Sequence, residues 1–200
     1  MTTNADIIDL LAGIAPGSPL SDVRDLRPEA RRNAQRSFEA LLEPADPGAF
    51  ALSERYAVAT FVARLHGFAE AAEFYADLLG DEAPELLDPV ERAAESGRAS
   101  GPYGAYREPG LAAEGSEGLR WVASDDALGG RLGAALTHAH LLVFRPREAR
   151  PDALRALVSA GWGADDIVSL SQLVAFLSFQ LRVAWGLRAL SAHHSARSAA

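Results

Sequence analysis

The chain has 200 residues, enough for one domain with a substantial core. Its 19 basic residues against 27 acidic leave a net charge of −8, which argues against a phosphate backbone or an anionic membrane surface as partner. Cysteine is absent, which removes disulfides, thiolate metal sites and thiol catalysis together.

Residues 1–9 carry acids and no basic leader, so no signal peptide is expected, and Asn4 to Leu11 reads as a short helix ending at Gly13. Ala15-Pro16-Gly17-Ser18-Pro19 is a break. Pro28 suits a first helical position, and Ala30, Ala34, Phe38 and Leu41 recur at helical spacing up to Pro44. Ser53 then suits a helix cap, and Tyr56, Ala59, Phe61, Val62, Ala63 and Leu65 cover too much of the cylinder for a surface helix. Gly67 ends that helix in a left-handed conformation, and a second helix runs from Phe68 or Ala69 to Gly80. The second helix aims its N-terminus back at the first, so a reactive group there would sit at the positive end of a dipole. Phe68 and Ala71 occupy that place.

Pro84 to Ala94 reads as a helix with Leu86, Leu87 and Val90 inward. The Gly/Pro-rich stretch from about 96 to 120 has no periodicity and reads as a lid, a linker or an idle loop, with Tyr103 and Tyr106 as aromatic handles. Asp125 to Phe144 is helical, Pro146 stops it, and Pro151 opens a helix with Leu154, Leu157 and Val158 inward. In the last helix Ile167, Leu170, Val174, Leu177, Leu181 and Ala184 alternate steps of three and four, and Phe176, Phe179, Val183 and Leu187 widen the apolar surface toward a partner chain. Gln172, Gln180, Arg182 and Arg188 interrupt it, so no membrane span is expected. The tail from about 191, with His193 and His194, is expected to fray. No strand pattern occurs. The expectation is a single all-α domain over 1–200, soluble and cytoplasmic.

Two stretches, LSERYAVATFVARLHGFAEAAEFY and RPDALRALVSAGWGADDIVSLSQLVAFLSFQLRVAWGL, cover roughly a third of the chain. In order and spacing they resemble the carboxymuconolactone decarboxylase and alkylhydroperoxidase D superfamily, particularly its peroxidase-related branch. The wording FRPREARP and SQLVAFLSFQ, with GPYGAY upstream, resembles a subgroup that carries the decarboxylase-type domain without a thiol pair. The resemblance implies an alkylhydroperoxidase D-like helical domain and assembly as a homo-oligomer, from dimer to hexamer. In the active peroxidases a Cys-x-x-Cys pair does the chemistry, assisted by a His and a Glu. Carried over by position, the two Cys fall on Phe68 and Ala71, the region of the His falls on Phe74 and Tyr75, and only Glu54 matches. Peroxidase turnover through thiols is thereby excluded.

Two readings remain. One is a thiol-free binding or structural subunit, standing beside a Cys-bearing relative. The other is a non-redox enzyme transferring protons through His66 and Glu54 near a small hydrophobic pocket, with Tyr75 in reach. Each residue has a plainer alternative: His66 as a C-terminal cap, Glu54 as a structural acid paired to an arginine, and Glu70, Glu73 and Asp77 as a solvated face. Arg182, set in the most apolar helix, is expected to pair with a carboxylate, with Glu54 first in line. His138 and His140, two apart, point to opposite sides of a helix and do not form a metal pair. No cofactor or metal is expected.

Overall fold

The structure, a computed structural model, describes residues 6–198, with side chains as far as residue 193. Helix accounts for 73% of it and no strand occurs among the described residues, so the chain is all-α. The start of the first expected helix at Asn4 and the side chain of His194 lie outside the described residues.

Helix α1 (Ile7–Ala12) starts where the Asp6 carboxylate accepts the Asp9 N–H at 3.0 Å, and ends at Gly13 with φ 68°. The break at 15–19 also starts a helix that the sequence reading missed. Ser18 caps α2 (Pro19–Asp25) with Pro19 at its first position. Helix α3 (Pro28–Leu42) buries Ala34, Phe38 and Leu42, while Ala30 is exposed and Leu41 half-buried.

The centre is α4 (Leu52–His66), which packs against α3, α5, α6, α7 and α9. Every residue from Ala57 to Ala63 is buried, as an apolar cylinder requires. It starts from Ala51 without the expected Ser53 cap. Gly67, at φ 68°, reverses the chain into α5 (Ala69–Glu82), which runs through Gly80 and ends two residues later. A 3₁₀ turn at Pro84–Leu86 leads into α6 (Leu87–Ser96), where Val90 is buried and Leu86 and Leu87 are half-buried.

The Gly/Pro-rich stretch after α6 is an ordered strap. Tyr103 donates its N–H to Phe144 O at 2.6 Å, and Gly104 donates to Ser116 O at 2.8 Å. Arg145, 2% exposed, pairs with Glu148 and donates to Gly118 O at 3.0 Å. A Cβ at Gly118 would come within 2.5 Å of the Tyr103 ring, so only glycine fits that crossing. The strap ends in a 3₁₀ turn, Asp126–Leu128, that delivers α7 (Gly129–Phe144).

Helix α8 (Pro151–Ser159) departs from its expected inward face: Leu157 is buried, but Leu154 and Val158 are exposed. Helix α9 (Ala164–Ser198) buries all six of its periodic positions from Ile167 to Ala184, against α1, α3, α4 and α7. It stays helical to Ser198, so the tail expected to fray from about 191 is regular there. By length and composition alone, Ala164–His193 could cross a membrane, and half of its most apolar window is buried inside the fold. The polar interruptions in its sequence do not by themselves exclude a span.

Candidate functional site

The Gly67 turn brings the end of α4, the start of α5 and the flank of α9 together. Phe68 is the N-cap residue of α5, with an extended backbone and 4% exposure, and Ala71, in the first turn, is fully buried. Both therefore lie at the inter-helix junction. Tyr75, one turn further, is fully buried and donates its hydroxyl to Gln180 Oε1 at 2.5 Å. Burial pushes that phenol far above its ordinary range, so it stays protonated.

His66 closes α4, with Nε2 3.3 Å from Ser178 Oγ. Burial and then the Arg182 guanidinium pull its pKa down to about 4, so the ring is neutral near pH 7. It opens on a groove of about 180 Å³ shared with Phe68, Leu181, Arg182 and Trp185. Arg188 lies alongside, paired with Glu70, its guanidinium 5.8 Å from the Phe68 ring centre. Glu73 and Asp77 are exposed, and Glu73 pairs with Arg64 at 2.8 Å.

Glu54 does not belong to this groove. It stands in the first turn of α4 and His66 in the last, twelve residues on, a separation of about 18 Å at ~1.5 Å per residue. The expected Arg182–Glu54 pair is also absent. Arg182 is exposed and makes no hydrogen bond or ion pair among the described residues, because its place on α9 faces outward. Glu54 pairs instead with Arg131, Nε to Oε1 at 2.8 Å. Arg131 also donates to Gly161 O at 2.7 Å and Ala49 O at 2.9 Å, and stacks on Trp162 at 4.2 Å. Glu54 is thus the structural acid that one of the two sequence readings described.

His138 and His140 do face different elements: His138 Nε2 lies 3.2 Å from Ser171 Oγ on α9, and His140 Nε2 donates to Gly97 O at 2.9 Å. A half-open pocket adjoins them, away from the Gly67 junction. It is a cavity of about 490 Å³ between the end of the strap, α7 and α8, reached by Trp121, Gly130, Gly133, Ala134 and His138. The sequence reading missed it. Its signal was the run of small residues along α7 beside an isolated tryptophan upstream.

No family model, no curated protein and no solved structure matches this chain.

Proposed function

We propose that the chain is a thiol-free member of the carboxymuconolactone decarboxylase and alkylhydroperoxidase D-like superfamily, a binding or structural homologue without redox turnover. The observation that carries the reading is the α4–α5 junction. A helix start follows a left-handed glycine there, and the places the resemblance gives to the two thiols hold a buried benzyl and a buried methyl group. Neither side chain can ionise, attack a peroxide or be resolved as a disulfide. Phe68 is packed at the place of the first thiol, which favours binding or scaffolding over catalysis at the junction.

The same reading takes α9 as the core helix of a soluble, cytoplasmic protein, supported by its buried inner face. It takes the exposed outer side chains of α9, Val168, Phe179 and Trp185 among them, as the contact of a homo-oligomer of two to six copies. A Cys-bearing relative is a further partner within this reading. The test is a peroxidase assay on metal-stripped protein with organic hydroperoxide and dithiol reductant. No turnover above the protein-free rate is expected; turnover that survives chelation overturns the proposal.

The neutral imidazole of His66 supports a second reading, proton transfer on a small hydrophobic substrate in the groove. Glu54 takes no part in it. Native mass spectrometry separates the two. A retained small molecule that disappears in His66→Gln supports the enzyme, and an unchanged mass balance on that substitution supports the binding homologue.

A further inference from the structure

Between residues 165 and 182, α9 is exposed at Asp165, Val168, Gln172, Ala175, Phe179 and Arg182, and every residue between these is buried or half-buried. Steps of three, four, three, four and three separate them, the seam spacing along which one helix packs on another. A helix face turned only to water carries polar and charged groups throughout. Here Val168 is 55% exposed and Phe179 47%, with the small Ala175 between them. The single acid of the stripe stands at one end and its single base at the other. Among the described residues, neither Asp165 nor Arg182 has an ion-pair partner within contact distance.

Read backwards, the stripe has the same spacing, so it can lie on a second copy of itself running the other way. When Asp165 of one copy meets Arg182 of the other, Val168 meets Phe179, Gln172 meets Ala175, and no position is left over. Opposite charges then close both ends, an aliphatic side chain covers each ring, and the small Ala175 leaves room for the glutamine. Trp185, 64% exposed, reaches past the first turn of the opposing helix to its Gly161–Gly163 turn, where two exposed glycines give it space. A parallel, in-register pair would set Arg182 on Arg182 and Asp165 on Asp165, and like charges at close range repel.

The geometry points to a two-fold dimer in which α9 packs antiparallel on α9 of a second copy, with the axis passing between Leu173 and Val174. The arrangement rests on the reading of α9's outer face as a contact between copies, gives that contact an orientation and a register, and stands without the superfamily assignment. The apolar middle of the stripe supplies the burial. The two Asp165–Arg182 pairs fix orientation and register more than they add affinity, as exposed ion pairs do.

The test is sedimentation equilibrium of the full chain at low salt, beside Asp165→Arg, Arg182→Asp and the double exchange Asp165→Arg/Arg182→Asp. Wild type is expected to dimerise. Each single substitution turns two attractive contacts into two like-charge ones and should raise the dissociation constant about tenfold, and the double exchange should return it to within about threefold of wild type. Circular dichroism checks that the variants keep their helix. Because the chain has no cysteine, Leu190→Cys takes one nitroxide label per copy and leaves the stripe unsubstituted. In the antiparallel register the two labels stand about 50 Å apart, from ~1.5 Å of rise per residue on either side of the axis. Parallel helices would bring them within about 20 Å. A wild-type monomer would overturn the arrangement together with the contact it rests on. An oligomer indifferent to the single substitutions, a double exchange that does not recover, or a short label distance would overturn the arrangement and leave α9 as a contact.

Discussion

Arg131 and Arg55 define how this all-arginine chain uses its cations indoors. Arg131 joins Glu54, Gly161 O and Ala49 O, so one guanidinium fixes the start of α4, the turn before α9 and the flank of α7. Arg55, 6% exposed, forms no ion pair within contact distance among the described residues and donates to Phe50 O, Leu41 O and Pro47 O, satisfying carbonyls that the end of α3 and the following loop leave open. Such partners are separated by up to 82 residues, and no local pattern encodes them. That is why the sequence reading gave Glu54 an arginine partner but chose Arg182. The titratable residue with a clear consequence is His66. Its folded pKa of about 4 lies below the ordinary 6.5, so above 6.5 both states are neutral and the group contributes nothing to pH dependence. Below 6.5 the unfolded chain takes up a proton that the folded one refuses, and stability falls until about pH 4. His138 and His140 shift in the same direction through burial. Denaturant unfolding of His66→Asn between pH 7 and 5 should show a decline shallower than wild type by up to about 1.4 kcal/mol per pH unit. Parallel profiles would mean that His66 is solvated in the native state.

At the scale of elements, helices whose apolar residues follow a 3.6-residue period were readable, and α9 is the clearest instance. All of its expected core positions are buried, because a step of three and four repeated over several turns leaves one face no alternative. Helix α2 was not readable, since seven residues carry too few apolar positions for a period, and only the Ser18-Pro19 start announces it. The strap from 97 to 125 was not readable either. Its order comes from distant partners, Phe144 O and the buried Arg145, rather than from any repeat of its own. The outer face of α9 is where an element-scale prediction belongs. Phe179 is 47% exposed and Trp185 64%, on a helix long enough to pair with a copy of itself. If they form the proposed oligomer contact, Phe179→Glu/Trp185→Glu should convert the protein to monomer in sedimentation velocity while its helical circular dichroism is kept. A wild-type protein that sediments as a monomer, or an oligomer indifferent to the pair of substitutions, would remove α9 as the contact.

For the whole molecule, the arrangement sets two places apart. One is the Gly67 junction, where the sequence drew attention and where Phe68 and Ala71 stand in the places the resemblance gives to thiols. The other is the cavity beside α7, which needs the strap, α7 and α8 to meet, so the small residues along α7 did not announce it on their own. The fold class was legible throughout, but the candidate site only in part. His66, Phe68 and Ala71 lie beside the turn, whereas Glu54 stands at the far end of the same helix. On the proposed reading, the junction holds the place of a thiol pair without the two thiols, and without the assisting histidine, whose region holds Phe74 and Tyr75. The variant Phe68→Cys/Ala71→Cys tests it directly, because Phe68 is the N-cap of α5 and Ala71 stands three residues on. Titrating its thiolate by ultraviolet absorbance and quantifying free thiols after mild oxidation should show one thiol ionising below about 7.5 and closure of an internal disulfide. Both thiols titrating near the ordinary value of about 8.5 and staying free after oxidation would contradict the account.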